Sequence, residues 1–242
     1  MNRKKSMLSS PEWKTIPWCE KPKNSRDLLL DILIDMPGLL EDLDALNECP
    51  SSQERQRLRQ ELIGKCWMYD ALLLDWANSI CPSQQPFGSS YQPPEDEIVS
   101  PQQLAHAHGL SLYWTTCLLL YSTLASASGS SSILLPERTD PRVYIGSIAK
   151  VVPVLLRAGS GMYGQHIAAL PLGVALQFAM ATDSMAHEQA MLVRNFEIPR
   201  GRVVNGFLLS VNCDERRHKS QLTKIDGPES ISIRAKTWAG IR

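Results

Sequence analysis

LAHAHGLSLYWTTCLLLYSTLASA, residues 104–127, contains no Asp, Glu, Lys or Arg. An uncharged run of this length reads as a helix buried on nearly every side, the element around which other helices pack. Ser100, Pro101 and Gln103 supply an N-cap, an N1 proline and an N3 partner just ahead of it. A membrane span is the competing reading, and it needs about 20 predominantly apolar residues. The densest run, Leu110 to Leu124, has 15 residues, is diluted by Ser111, Thr115, Thr116, Ser122 and Thr123, and has no Lys/Arg cluster at either end. A buried core helix is therefore expected, with Tyr113, Trp114 and Tyr121 as packing anchors.

Working outward toward the N-terminus, a Ser51-x-x-Glu54 capping box opens the longest amphipathic pattern. Leu58, Leu62, Cys66, Tyr69, Leu73, Trp76 and Ile80 step by threes and fours along one stripe, predicting a helix to about Ser79. The polar, turn-rich segment after Pro82 reads as a surface loop. Residues 27–48 form a pair of shorter helices, the first capped at Ser25, and hold seven acids with no Lys or Arg. Carboxylates one turn apart repel unless screened, so this acidic stripe is expected to be a solvated face rather than a metal site. Residues 1–24 carry Arg3, Lys4, Lys5, Lys14, Lys21 and Lys23 and are punctuated by prolines. They read as a basic arm that packs by seating Trp13, Ile16 and Trp18 in a groove.

On the other side, Ser126 to Ser132 reads as a Gly/Ser link. Asp140 and Pro141 start a helix through Leu155, bent at Pro153. RAGSGMYGQ, with glycines at 159, 161 and 164, marks a turn, and the apolar stretch His166 to Ala181 follows, interrupted by Pro171 and Gly173. Asp183 or Ser184 caps a helix to about Phe196, and Pro199 begins another. The chain is expected to be all-α, an irregular multi-helix bundle of stacked antiparallel helix pairs. Its divisions are an arm over 1–24, a helical domain over 25–213 and a weakly structured tail over 214–242, where the helical period is lost.

Length and composition set the class. With 242 residues and 43% hydrophobic content the chain can bury an ordinary core. Its 25 Lys and Arg balance 25 Asp and Glu, so no overall charge draws it to nucleic acid or an acidic membrane surface. The six cysteines are scattered without a Cys-x-x-Cys pair, and the basic start MNRKKSMLSS lacks the apolar region of a secretory signal. No structural metal, no cofactor, and a nuclear or cytoplasmic location are expected.

Chemistry-bearing candidates are few. His106 and His108 point to different sides of a helix, one expected to be buried and hydrogen-bonded and the other exposed. Tyr163 and His166, three apart, share a face and form a conceivable acid/base pair. With Tyr113 and Trp114 they are the candidate lining of a ligand pocket beside the central helix. Arg200 and Arg202, opening a helix, and Arg142, near another helix start, are candidate anion or partner contacts. Ion pairing of these arginines to acids 27–48 is the preferred structural account. Cys66 and Cys117 sit mid-helix among apolar groups and are expected to be core residues. No P-loop, nucleophile elbow or dinucleotide-binding fingerprint is present. The sequence leans away from an enzyme.

Seven segments in order carry a resemblance: EWKTIPW (12–18), RDLLLDILIDMPGLLEDLD (26–44), CWMYDALLLDW (66–76), SLYWTTCLLLYSTL (111–124), DPRVYIGSIAKVVPVLLRAGSGMYG (140–164), ALPLGVAL (169–176) and PRGRVVNGFLLS (199–210). Together they resemble the C-terminal helical regulatory region of fungal zinc-cluster (Zn2Cys6) transcription factors, over about Pro11 to Ser210. The six-cysteine DNA-reading cluster of those factors has no counterpart here, so no zinc or base-contact role carries over to any residue. The resemblance implies a clusterless regulatory protein, linked to fungal secondary metabolism. It would act through a protein partner, such as a full-length zinc-cluster regulator, or a small-molecule ligand, without specific direct DNA binding and without a membrane. The alternative is a repurposed helical enzyme or ligand-binding protein of a biosynthetic pathway.

Overall fold

A computed structural model of the chain describes residues 3–80, 99–129, 135–182 and 185–222. These residues are helical throughout their ordered elements, with no strand among them, as the hydrophobic periodicity requires. The α-helices are α1 (Pro11–Thr15), α2 (Ser25–Leu33), α3 (Met36–Glu48), α4 (Ser52–Ile80), α5 (Pro101–Ser128), α6 (Arg142–Leu155), α7 (Gly161–Met180), α8 (Ala186–Arg194) and α9 (Pro199–Leu222). The expected cap at Asp183 or Ser184 lies outside the described residues. The described residues divide into two compact units, the first falling within residues 1–92 and 109–148 and the second within 93–108 and 149–242.

In the first unit α4 is the hub. Its residues Leu62, Cys66, Leu73, Trp76 and Ala77 are buried, each large apolar side chain contributing about 1.5–3 kcal/mol. Lys65 meets Asp42 and Tyr69 meets Asp35, while the Trp76 indole donates to the Ser25 carbonyl. Rising numbers in α4 thus meet falling numbers in α2 and α3, so these helices run antiparallel to α4. Tyr121 meets Asp70 and Tyr113 meets Trp76, which makes α5 antiparallel to α4 as well. The cap of α2 falls on Asn24, one residue before the expected Ser25. Asn24 and Asp27 exchange hydrogen bonds with each other's backbone in a full capping box.

Every residue of α5 from Ser111 to Tyr121 is buried. The hydroxyls that dilute its apolar character turn back on the helix: Thr115, Thr116 and Thr123 donate to the carbonyls of Ser111, Leu112 and Leu119. Each of these three threonine hydroxyls is thereby satisfied within its own helix. Helix continues to Ser128, past the start of the expected Gly/Ser link.

In the second unit, Ser100 and Gln103 cap α5 reciprocally, with bonds of 3.2 and 2.8 Å. Pro171 and Gly173 do not interrupt α7, which is continuous through both. Two glycines, one in α7 and one in α9, allow close backbone approaches at the starts of their helices. A Cβ on Gly164 would stand 1.9 Å from the Leu155 carbonyl oxygen, and one on Gly201 would stand 1.7 Å from that of Asn195. Arg200 reaches Gly161, and Leu208 lies against Gly173, so α7 and α9 run in the same general sense. The backbone of α9 continues to Leu222, beyond the boundary expected near residue 213.

Among the described residues no single helix is long and apolar enough to cross a membrane. One bent pair, Arg142–Leu155 with Ala158–Met180, passes that test by length and composition together.

Candidate functional site

The acidic stripe of α2 and α3 is bridged in part by the N-terminal arm, while Glu41 and Glu48 remain exposed to solvent. Arg3 pairs with Asp44 at 3.0 Å and reaches the Leu40 carbonyl at 3.5 Å. The Lys5 amide donates to Glu41 at 2.9 Å, Lys14 pairs with Asp35 at 2.6 Å, and Lys23 pairs with Asp31. From α4, Lys65 holds Asp42 at 2.7 Å and the Tyr69 hydroxyl donates to Asp35 at 2.9 Å. Burial lifts the Asp44 carboxyl above its usual range; Arg3 pulls it back, and Glu48 and Glu41 add to the rise. Carboxylates placed one turn apart would repel each other, and the arm's cations relieve that repulsion.

Partly exposed ion pairs are worth about 0.2–1 kcal/mol each. The arm is therefore held by a handful of weak contacts. Its large apolar groups do not seat in a groove as the sequence suggests: Trp13 is 49% exposed and Ile16 65%, with Met7 and Leu8 also outward. Only Trp18 is half-buried, with the Lys23 ammonium 5.7 Å from its ring centroid. The short α1 and its flanking one-turn helices aim these side chains outward while charge does the holding. Between arm, α3 and α4 lies a cleft of about 330 Å³, lined in part by Lys5, Ser9, Asp35, Glu41, Lys65 and Tyr69.

A second constellation lies within the first unit, buried apart from the partly exposed Arg138. Asp70 sits on the buried stripe of α4, one turn from Cys66 and Leu73, where the period calls for an apolar residue. Arg138 grips its carboxylate at 2.7 and 3.3 Å, and the Tyr121 hydroxyl donates to it at 2.8 Å. Tyr144 stacks on Tyr121 with centroids 5.5 Å apart and donates to the Arg138 carbonyl at 2.6 Å. Trp76 stacks on Tyr113 at 5.2 Å. The Tyr113 hydroxyl is buried without a hydrogen bond of regular geometry; it faces the Cys117 thiol, a weak acceptor.

Burial raises the Tyr113, Tyr121 and Tyr144 hydroxyls far above the ordinary phenol range. It raises the Cys117 thiol likewise and pushes Cys66 up to about 12, with the Asp42 charge adding to the effect and Lys65 opposing it. Neither thiol has the character of a nucleophile. This cluster pairs charges and hydroxyls with one another, with Arg138 at its partly exposed edge, which makes it a lock between helices. Its signal in the sequence was Asp70, a carboxylate on an apolar stripe.

The sequence candidates fall as follows. Tyr113 and Trp114 are fully buried in the first unit, whereas Tyr163 is 48% exposed and His166 is exposed in the second. Tyr163 pairs with His108, hydroxyl to Nδ1 at 3.0 Å with the rings edge to face, and not with His166. His108 is thus the bonded histidine, half-buried, and His106 the exposed one. None of Arg142, Arg200 and Arg202 shows a pairing to the acids of 27–48. Arg142 folds back on Asp140 at 2.6 Å, and Arg200 donates to the carbonyls of Arg157 and Gly161 at 2.8 and 3.0 Å. Arg202 is exposed on α9. The arm's own cations, nearer in sequence, take those acids instead. Among the described residues no three His, Cys, Asp or Glu side chains converge as a metal site.

Compared with known proteins, the chain matches no family model, no curated protein and no solved structure.

Proposed function

We propose that this chain is a regulatory helical module that acts in transcription by holding a protein partner, of the kind of a full-length fungal zinc-cluster factor, in the nucleus or cytoplasm, without reading DNA itself. The observation that supports it is the arm. Met7, Leu8, Trp13 and Ile16 point outward from a segment fixed by charge on the acidic face of α2 and α3. Large apolar groups presented this way suit a partner surface, since single exposed apolar residues are ordinary but a cluster on one short segment is not. The ordered resemblance to the helical region of zinc-cluster factors gives the partner class, and secondary metabolism the setting.

The test is chromatin association of the tagged chain with and without the partner gene, together with a Trp13→Ala/Ile16→Ala variant. Association lost in both cases supports the reading. Tight, sequence-specific binding of purified protein to promoter DNA would sink it, because a basic arm alone gives only salt-sensitive, non-specific contacts.

The second reading, a ligand-binding protein or enzyme of a biosynthetic pathway, draws on the cleft of about 330 Å³ beneath the arm, at the small end of ligand pockets. Deleting the gene separates the two. Lowered pathway transcripts favour the regulator; intact transcripts with an accumulated intermediate favour the ligand-binding protein.

A further inference from the structure

Arg3-Lys4-Lys5-Ser6 places three cations directly before a serine, followed by the apolar Met7. That charge order suits the acidic substrate groove of an arginine-directed serine/threonine kinase, which must take its substrate as an extended segment. Ser6 lies outside the α-helices. Its hydroxyl oxygen accepts from the Leu8 amide at 3.2 Å, and its carbonyl accepts from the Ser9 hydroxyl at 2.6 Å and the Ser9 amide at 3.1 Å; all three bonds are local and break when the arm extends. The residues around it carry the arm's first links to the acidic face, Arg3 to Asp44 and the Lys5 amide to Glu41.

We propose that Ser6 is a phosphorylation site for a basophilic protein kinase using ATP, and that the phosphate releases the arm from the acidic face of α2 and α3. In the transfer the Ser6 Oγ attacks the γ-phosphorus and forms the new O–P bond. The bond to the β,γ-bridging oxygen breaks, ADP leaves with the electron pair, and the hydroxyl proton passes to the kinase's carboxylate base. The product carries about −1.5 to −2 charge at neutral pH, one residue from the amide that Glu41 accepts. Glu41, Asp42 and Asp44 repel it, and Arg3 and Lys5 gain a local phosphate that competes with their carboxylate partners. Lys65, the α4 cation lining the same cleft, is already engaged by Asp42 and offers the phosphate little compensation. Release does not depend on the partner reading, because it is a property of the chain by itself.

The experiment treats the purified full chain with an arginine-directed kinase and magnesium-ATP, maps the phosphate by mass, and follows amide exchange in peptides covering residues 3–18. One phosphate on Ser6, absent from Ser6→Ala, is expected, with arm exchange at least about tenfold faster and residues 111–121 still protected. In a Glu41→Gln/Asp44→Asn chain the arm should already exchange fast, and phosphorylation should add less than about twofold. Failure of the kinase to modify Ser6, or phosphate going instead to Ser9, Ser10, Ser51 or Ser52, overturns the site. Unchanged arm exchange in the phosphorylated chain, and equally in Ser6→Glu, overturns the release.

Discussion

The Asp70 carboxylate of α4 and the Arg138 guanidinium lie 2.7 Å apart across 68 residues of sequence, joining α4 to the segment that leads into α6. Asp70 is almost fully buried, and its carboxylate oxygens are hydrogen-bonded by this partner and by Tyr121. Arg138→Met leaves the carboxylate stranded and should lower stability by about 3 kcal/mol or more, whereas Asp70→Asn/Arg138→Met should recover part of the loss. Urea unfolding of the two single variants and the double variant measures the coupling. A coupling within error of zero would show that the pair is incidental.

The two central tyrosines of α5 should respond oppositely to loss of the hydroxyl. Tyr121→Phe removes a donor to Asp70 and should destabilise by about 1.5–3 kcal/mol, a bond to a charged group. Tyr113→Phe removes a buried hydroxyl without a regular partner and should leave stability unchanged or raise it by about 1 kcal/mol. Thermal denaturation of both variants decides. A clear loss in Tyr113→Phe would mean that its hydroxyl is paired after all.

Alkaline pH should unfold the chain through these phenols. Tyr113, Tyr121 and Tyr144 are held well above their ordinary value, mainly by burial. Above about pH 10 the unfolded chain sheds their protons while the folded chain keeps them, so the folded state binds more protons and stability falls as pH rises. Below that pH the contribution is fully present. The melting temperature should therefore decline from about pH 10 upward, and less steeply in Tyr121→Phe. Reversible ionisation of these three in the folded chain near pH 10, followed by ultraviolet absorbance, would contradict this.

Thiol labelling should follow burial. Cys19 is exposed and should react with a disulfide reagent within the mixing time, while Cys66 and Cys117, buried and with raised pKa values, should react only on unfolding. Mass mapping of the labelled chain at neutral pH is the check. Early labelling of Cys117 would mean that the core around α5 opens readily.

Gly164→Ala and Gly201→Ala should each cost about 1–3 kcal/mol or more, since the added methyl meets a backbone carbonyl oxygen that cannot rotate away. Gly64→Ala, where nothing lies within 4 Å, should be neutral or stabilising and serves as the control.

The helices were legible because their signals are local. The cap at Ser100, the stripe from Leu62 to Trp76 and the uncharged run of α5 each lie within a few turns of chain, and each appears in the structure where the sequence puts it. Pro171 misled because a breaker is also local, and here the surrounding apolar helix tolerates it. The partners of charged groups were not legible. Arg142 and Arg200 looked available to the acidic stripe, yet Arg142 takes Asp140 and Arg200 takes two carbonyls, while the arm supplies the cations. Tyr163 looked paired with His166 three residues on, and its partner came from α5, 55 residues away.

The sequence by itself determined that this chain folds as helices, and which residue of α5 after another is hidden from water, because periodicity and absence of charge act over one element at a time. Tertiary structure alone decided that Asp70 is a buried anion with Arg138 and Tyr121 around it, and that the arm lies on the acids of α2 and α3. Those choices depend on which surfaces meet, and an ion pair at 2.7 Å has no trace in the spacing of residues 68 apart.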